Sequence, residues 1–265
     1  MRGYFLAALC LLLAGCIGTL STQGQSFNPN KVHLVDEFDG SYLFRGNEPL
    51  VGDGKDRQFA YAELTSEVNQ ILKQRGHKPL EADKFEIIDI SLLNRSSDDY
   101  DLKIEKAFFE ENPDKGKFIH WPLLMVDELI PAKQSSREKI VRMLPDKTFL
   151  RVLEKGTMSF LIHQNRKTYQ HVLKLKQLLE DYGNRSDGKL TIFYVHCNAG
   201  CDRTGEFIAA YRMTNNKLLC SEATNKNTAE CGRPQNYYSV NGTYWYCEYL
   251  KSWNSNYRCD CPETL

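Results

Sequence analysis

Two patterns of apolar residues alternate along the chain and predict strands and helices in turn. Short apolar runs rich in isoleucine or aromatic residues predict buried strands at 85–93, 116–124 and 189–197. Apolar positions three or four residues apart predict helices at 62–76, 159–183 and 204–213. Gly76 and Gly183 close the first two of these helices, as glycine commonly does at helix ends.

The order of these elements predicts the fold class. Strands that alternate with helices are typical of an α/β protein with a largely parallel sheet. The run KLTIFYVHC (189–197) has no charge after Lys189 and no clean alternation, which indicates a central strand covered on both faces. We therefore expect a single three-layer sandwich whose central, mostly parallel sheet is flanked by helices.

The last part of the chain differs in composition from the rest. Residues 218–265 contain five cysteines, two tryptophans and many tyrosines and asparagines. Dense cysteines are typical of disulfide-stabilised regions in exported proteins. We expect a disulfide-stapled C-terminal appendage that packs on the sandwich and is not an independent domain.

The N-terminal segment predicts a secretory signal peptide over residues 1–22. Arg2 precedes an apolar run at 5–17, and small polar residues follow it. The apolar run is too short for a stable membrane span. A membrane anchor or a buried first helix is the alternative. The segment LAGC (13–16) also resembles a bacterial lipobox with Cys16 as the lipidated residue. No other long apolar run follows, so we expect no transmembrane segment in the mature chain, 23–265.

Three glycosylation sequons bear on the destination of the chain. They begin at Asn94, Asn184 and Asn241, each beside turn-like residues where an acceptor would be exposed. With the cysteine-rich tail, they favour a glycosylated protein of the eukaryotic secretory route, secreted or endolysosomal, over a bacterial lipoprotein.

The charge balance limits the class of partner. Lys+Arg and Asp+Glu are both 34, so the formal net charge of the 265 residues is zero. A neutral chain has no overall basic field to attract nucleic acid or an anionic membrane surface. We therefore expect no nucleic-acid partner, while a locally basic pocket is still compatible with this balance.

The stretch VHCNAGCDRTGEF (195–207) concentrates reactive residue types between a predicted strand and a predicted helix. Sites in α/β sheets lie at such strand ends. Without the signal peptide seven cysteines remain, an odd number, so at least one thiol lies outside disulfides. Zinc would need a second ligand cluster upstream, which is lacking, and a structural disulfide suits Cys197 poorly because this residue ends a core strand.

An anion-binding loop explains more of these residues. A glycine-containing turn can point successive backbone N–H groups inward, and the helix N-terminus adds a positive dipole end. Arg203 offers a fork for two phosphate oxygens. This field stabilises the thiolate of Cys197, which becomes a nucleophile placed under a bound phosphate. Thr204 can donate its hydroxyl to the sulfur, and His196 can brace the loop through backbone groups.

The segment HCNAGCDRTG (196–205) resembles the signature of cysteine-dependent protein tyrosine and dual-specificity phosphatases: His, Cys, five residues, Arg, Ser or Thr, and Gly. Asp202 and the segment YLFRGN (42–47) are similar to the bacterial-type tyrosine and lipid phosphatases. The signature is short but specific between a strand and a helix. The resemblance implies catalytic roles for Cys197, Arg203 and Thr204. It also implies phosphate binding by Asn198, Ala199, Gly200, Cys201, Asp202 and Arg203.

Two loop positions depart from these relatives. Cys201 takes the place usually held by lysine, and Asn198 is the first loop residue. The rim is therefore expected to carry less positive charge, which favours phosphoprotein over phosphoinositide substrates. Cys201 can pair with a tail cysteine or form an oxidised state with Cys197, and Arg45 is a candidate to line the pocket.

The reaction also needs a proton donor for the leaving oxygen and a base for the attacking water. Asp127 fits this role because it follows a predicted strand and lies upstream of the nucleophile, where the family has a mobile-loop aspartate. Asp202, inside the loop, is the competing candidate by analogy with the bacterial-type subgroup. A turn-capping role for Asp127 and a helix N-cap role for Asp202 are the structural alternatives.

These observations predict an exported phosphatase that hydrolyses phosphate monoesters through a phosphocysteine intermediate. Phosphotyrosine or dual-specificity phosphoproteins are the first expected substrates. Phosphoinositides or other phosphorylated small molecules are the alternative, as is a catalytically inactive module that only binds phosphate. The chemistry implies no metal and no organic cofactor.

Overall fold

A five-stranded sheet lies at the centre of the structure, a computed structural model that describes residues 26–123, 157–254 and 256–262, without the side chains of 157–162. The strands, including a separate two-stranded ribbon of β3 and β4, are β1 (His33–Phe38), β2 (Ser41–Asn47), β3 (Leu50–Val51), β4 (Gln58–Phe59), β5 (Phe85–Ser91), β6 (Gly116–His120) and β7 (Leu190–Cys197). The main sheet has the order β1-β2-β7-β5-β6, and only β1 runs antiparallel to its neighbour within it.

Helices cover both faces of this sheet. They are α1 (Tyr61–Gln74), α2 (Arg95–Glu111), α3 (Thr157–Gly183), α4 (Arg203–Asn215), α5 (Cys220–Cys231) and α6 (Tyr237–Trp253). Two short 3-10 helices, Pro29–Lys31 and Gly54–Asp56, precede α1. The predicted α/β class with a mostly parallel central sheet flanked by helices is confirmed.

The side chains of β7 show why this strand is central. Phe193 and Val195 point into a core formed with α3, α4 and α6, whereas Ile192 and Tyr194 point into a second core formed with α1. Both faces are buried, so apolar residues follow one another without the alternation of a half-exposed strand. The carboxyl end of β7 therefore opens at the middle of the sheet.

The C-terminal appendage consists of α5, α6 and the residues that follow. Disulfides join Cys220 to Cys261 and Cys247 to Cys259 within it, and its buried side chains belong to the same core as α4. The residues of α4 from Thr204 to Thr214 are all buried as a result. The predicted disulfide-stapled appendage is thus found, and it consists of helices packed on the sandwich.

Two elements had no clear signal in the sequence. β1 is an edge strand in which half of the residues are polar (His33, Asp36 and Glu37), and none of its six residues is fully buried. α2 begins with a polar, acidic segment, and one of its few buried residues is Glu105. Apolar periodicity could not reveal either element, because each buries few apolar side chains.

Several expectations concern segments outside the described residues. The signal peptide at 1–22, Cys16 and Asp127 all fall there. Among the described helices none is both long and apolar enough to cross a membrane. Of the sequon asparagines, Asn184 is exposed, but Asn241 lies buried inside α6, so the expectation of an exposed acceptor is wrong for Asn241.

Candidate active site

The segment VHCNAGCDRTGEF (195–207) lies at the carboxyl end of the central strand, β7. β7 ends at Cys197, residues 198–202 form a loop, and α4 begins at Arg203. Cys197 is only 2% exposed and is the one described cysteine that is not part of a disulfide. The structure therefore places one free sulfur between a strand end and the N-terminus of a helix.

Other elements hold the loop through its carbonyl groups. The five consecutive carbonyl oxygens of residues 198–202 each accept a hydrogen bond from outside the loop. In chain order the donors are Glu48 N (3.2 Å), Lys31 Nζ (2.9 Å), an Arg45 guanidinium nitrogen, Asn227 Nδ2 (3.3 Å) and Gln235 Nε2 (3.4 Å). Within the described part of the chain, no acceptor takes up the N–H groups of residues 199–203. A row of amide donors is thus left for an anion.

Gly200 allows the loop to pass close to β2. Its φ is +71°, and a Cβ there would lie 2.6 Å from Gly46 O and 2.7 Å from Asn47 N. No side chain fits that space, and the left-handed backbone conformation favours glycine independently. Arg45, fully buried behind the loop, reaches the carbonyl of Gly200 and is paired with Glu230 at 2.9 Å. Arg45 thus supports the loop from behind and does not line an open pocket.

Arg203 is held beside the loop by a carboxylate from α2. Its Nη1 lies 2.8 Å from Asp98 Oδ2 and 3.5 Å from Leu92 O. Burial opposes the charge of Arg203, but the nearby Cys197 and Asp98 outweigh burial and raise the pKa of Arg203 above its ordinary value. Asp98 is fixed in turn by the Asn94 amide at 2.9 Å. The guanidinium is therefore positioned and charged before any substrate binds.

Thr204 occupies the first turn of α4 and is completely buried. Its hydroxyl has no hydrogen-bond partner among the described side chains and backbone groups. A buried hydroxyl without a partner is unusual in a folded protein. This hydroxyl is therefore left with a donor for the predicted role, a hydrogen bond to the Cys197 sulfur during the reaction.

Asp202 is engaged by the appendage. Its carboxylate accepts two hydrogen bonds from Arg233, at 3.0 and 2.7 Å, and one from the Asn236 amide at 2.8 Å. Burial opposes ionisation, but these hydrogen bonds outweigh it and lower the pKa of Asp202 below its ordinary value. An acid held in its ionised form is a poor proton donor. This geometry disfavours Asp202 as general acid, and Asp127, outside the described residues, stays a prediction.

A third disulfide joins the loop itself to the appendage. Cys201 is bonded to Cys231 at the end of α5, with a Cα–Cα distance of 5.3 Å. Of the two states left open by the sequence, the structure has Cys201 paired with a tail cysteine. Asn227 and Glu230 of α5 also bind Arg45, so one helix of the appendage contacts the loop both directly and from behind.

His196 faces away from the loop, toward two buried acids. Its Nε2 lies 3.0 Å from Asp89 Oδ1 and 3.7 Å from Glu105 Oε1, and all three side chains are fully buried. The expected bonds from its ring to loop backbone groups are not among the contacts of the described residues.

Burial and then the charge of Asp89 raise the pKa of Glu105 well above its ordinary value. One oxygen from each acid and one ring nitrogen lie within 4.8 Å of one another, so this cluster has the donor set for a divalent cation. Its complete burial favours shared protons instead.

The sequence and the fold of this chain differ in how far they match known proteins. No family model matches the sequence, and no curated protein matches it. Solved structures do match. Kinase associated phosphatase, with serine in place of its catalytic cysteine, has a TM-score of 0.45 and 10% identity over 86% of this chain and 98% of that chain.

Two further solved structures match the chain. Tk-PTP in its active form gives a TM-score of 0.34 and 14% identity, covering 85% of this chain and 97% of that chain. TpbA from P. aeruginosa, in complex with phosphotyrosine, gives a TM-score of 0.37 and 14% identity. The match covers 89% of this chain and 99% of that chain. All three TM-scores are below 0.5.

Several residues at the site had no role in the sequence prediction. Lys31 places its Nζ 3.7 Å from Cys201 Sγ, although a rim with less positive charge was expected at that position. Arg233, Asp98 and Glu48 also contact the loop or its arginine, Glu48 through Asn198 Nδ2 at 3.2 Å. Only Glu48 had a local signal, because it directly follows the YLFRGN segment.

Proposed function

We propose that this protein is a cysteine-dependent phosphatase that hydrolyses phosphate monoesters. One observation carries the proposal: the loop after Cys197 has every carbonyl engaged from outside, while its amides have no acceptor among the described residues. Such a loop binds a phosphate over the one described cysteine that is free. Arg203, held by Asp98, supplies the charged fork for its oxygens.

The reaction then proceeds in two displacements at phosphorus. The Cys197 thiolate attacks, the P–O bond to the alcohol or phenol breaks, and the leaving oxygen takes a proton from a general acid, for which Asp127 is the proposed residue. Water next gives a proton to the carboxylate left on the general acid, and its oxygen forms a bond to phosphorus while the P–S bond breaks. Inorganic phosphate and the thiolate are released, and the Thr204 hydroxyl donates a hydrogen bond to the departing sulfur. The loop amides and Arg203 stabilise the charge in both transition states. Phosphotyrosine or mixed phosphoprotein substrates remain our proposal for the substrate class.

The experiment is hydrolysis of p-nitrophenyl phosphate by the purified protein, with Cys197→Ser as the matched variant. The assay is run without strong reductant, because reduction would also open the Cys201–Cys231 disulfide of the loop. We expect turnover by the natural chain, loss of turnover in Cys197→Ser, and a trapped phosphocysteine on rapid acid quench. A fully reduced Cys197 with no turnover and no trapped intermediate would support the inactive phosphate-binding module instead.

We also infer that the protein is exported. The support is the pairing of all six remaining described cysteines into three disulfides, a pattern that persists in oxidising compartments. Exposed Asn184 is the sequon acceptor most open to glycosylation. Expression in a eukaryotic secretory system, followed by mass analysis of the secreted protein, checks both the disulfides and the glycan at this residue.

A further inference from the structure

A buried arginine outside the signature links two carboxyl groups beside the candidate active site. Arg57 follows the second 3-10 helix, and its side chain is almost completely buried. Its Nη2 lies 2.7 Å from Glu48 Oε2, and its Nε lies 2.6 Å from Asp101 Oδ1. Glu48 directly follows β2, whereas Asp101 lies on α2. Arg57 therefore joins two elements that are far apart in the sequence.

Glu48 holds the start of the phosphate-binding loop. β2 pairs with β7 up to its end, where Asn47 lies opposite Cys197. The next residue of each strand continues this contact: Glu48 N donates to Asn198 O at 3.2 Å, and Asn198 Nδ2 donates to Glu48 Oε2 at 3.2 Å. The carboxyl group that binds Arg57 thus also binds the first residue after the nucleophile.

Asp101 holds the helix that positions Arg203. It lies three residues after Asp98, and residues at this spacing are neighbours on one face of a helix. Asp98 binds Arg203 Nη1 at 2.8 Å, but its own backbone angles are non-helical, so α2 is kinked at this residue. Helix geometry alone does not fix a kinked first turn. The contact between Asp101 and Arg57 therefore attaches this part of α2 to the start of the loop.

We propose that Arg57 is a positioning residue for the phosphatase reaction, which fixes the start of the loop relative to the Asp98–Arg203 pair. This inference rests on the proposed phosphatase function. A guanidinium can bind two carboxyl groups at once in fixed directions, which the point charge of a lysine cannot do. Arg57 acts through these neighbours, and without it two buried carboxyl groups would lie beside the site with no shared counter-charge.

The same contacts make the effect of Glu48 on phosphate binding depend on pH. The charged groups that face Glu48 come from three elements and are Arg57, then Asp98, Asp101 and Glu105 of α2, and Arg203 of α4. Burial, followed by the charge of Asp101, raises the pKa of Glu48 to about 8. Arg57 and Asn198 both donate to Oε2 of Glu48, so the proton lies on Oε1. Above pH 8 Glu48 becomes a carboxylate in contact with the loop, which disfavours a bound phosphate.

The first test is a double-mutant cycle on kcat/KM for p-nitrophenyl phosphate with Arg57→Lys and Asp98→Asn. Arg57→Lys retains the charge but loses one of the two charged contacts, so kcat/KM should fall about tenfold. Because Arg57 acts through the Asp98–Arg203 pair, the loss in the double variant should be smaller than the product of the two single losses, by about threefold or more. General damage to the fold would instead make the losses multiply, and urea unfolding checks that each variant is folded in the assay.

The second test is the pH profile. The ratio of kcat/KM at pH 7 to kcat/KM at pH 9 should be about fivefold larger in the natural chain than in Glu48→Gln, because only the natural chain gains a charge beside the loop. The substrate and the general acid are the same in both proteins, so their own titrations cancel. A loss of packing alone would lower both values equally and leave the ratio unchanged.

Arg185→Lys is the matched control. Arg185 also pairs with a largely buried carboxyl group, Glu86 at 2.5 Å, but it precedes β7 at the opposite end of the sheet. Its replacement should lower stability without changing kcat/KM. If Arg57→Lys does not fold, Asp101→Asn takes its place in the cycle, because it keeps the guanidinium and weakens only its link to α2.

The outcomes separate this inference from the proposed function. Unchanged kcat/KM in Arg57→Lys, or losses that multiply in the double variant, overturns the positioning role even if p-nitrophenyl phosphate is hydrolysed. Equal pH ratios in the natural chain and in Glu48→Gln refute the link through Glu48. Failure of the natural chain to hydrolyse the substrate overturns the phosphatase function instead. In that case the same cycle, measured on calorimetric vanadate affinity, still decides the role of Arg57, since losses of affinity that multiply would refute it.

Discussion

Each charged side chain around the loop keeps a neighbour in place. Asp98 fixes Arg203, Arg233 fixes Asp202, and Arg45 fixes the carbonyl of Gly200. Buried charges are costly unless they are paired and hydrogen-bonded, so each of these contacts is maintained in the folded protein. The geometry of the loop is therefore fixed before a phosphate binds. Donors that are already in place stabilise the charge of the transition state without any cost of rearrangement.

Replacing Asp98 by Asn tests this positioning. The variant keeps the shape of the side chain but removes the charge that holds Arg203. A charge-assisted hydrogen bond contributes about 1.5 to 3 kcal/mol, so we expect kcat/KM for p-nitrophenyl phosphate to fall about 10- to 100-fold. Asp99→Asn, one residue away and paired with exposed Lys103, is the control and should be near neutral. Equal kinetics in the two variants would show that Asp98 has no part in positioning.

Gly200→Ala tests the backbone of the loop. Alanine at a φ of +71° is strained by about 1 kcal/mol, and its Cβ would also meet Gly46 O at 2.6 Å. Gly188→Ala is the matched control, because its φ is +69° and nothing lies within 4 Å of the added carbon. Both variants should lose similar stability from strain, but only Gly200→Ala should lose vanadate binding and activity. Retained vanadate affinity in Gly200→Ala would contradict the tight packing of loop against β2.

The elements that build the site differ in how far the sequence could predict them. All residues of the segment 196–205 that bind phosphate or attack it lie next to one another in the sequence. Their types and spacing could therefore be recognised as a motif, and the loop was predictable. Lys31, Asp98 and Arg233 reach the same loop from a 3-10 helix, from α2 and from the appendage. No local pattern connects them, and only the strand order and the packing of α5 bring them together.

The disulfide between the loop and α5 is the element-scale prediction. Replacing both Cys201 and Cys231 by Ser opens a link of 30 residues, which is expected to lower the free energy of unfolding by about 3 to 4 kcal/mol. Because this link ends inside the loop, kcat/KM should fall as well. The control, Cys247→Ser with Cys259→Ser, opens a 12-residue link within the appendage and should lose stability with little change in kcat/KM. Equal kinetic losses in the two double variants would refute a special role for the loop disulfide.

Across the whole molecule, buried titratable groups with shifted pKa values make the free energy of unfolding depend on pH. Burial, followed by the charge of Asp101, raises the pKa of Glu48 to about 8, because the single guanidinium of Arg57 serves two carboxyl groups. In the opposite direction, burial and then Lys167 lower the pKa of His171 to about 4. The contribution of His171 to the free energy of unfolding therefore increases as pH rises from about 4 to about 6.5, and it is constant above that pH.

Between pH 6.5 and 8 the effect of Glu48 should therefore be visible. The folded state holds a proton on Glu48 that the unfolded state has already lost, so the free energy of unfolding should fall as pH rises through this window. The slope from one such group is at most about 1.4 kcal/mol per pH unit. Glu48→Gln, which cannot ionise, should make the slope shallower in urea unfolding measured at pH 6.5, 7.2 and 8, with the remaining slope due to other buried acids such as Glu105. Glu63→Gln on the exposed face of α1 should leave the slope unchanged. An unchanged slope in Glu48→Gln would mean that this carboxyl is already ionised in the folded protein, with Arg57 as its full counter-charge.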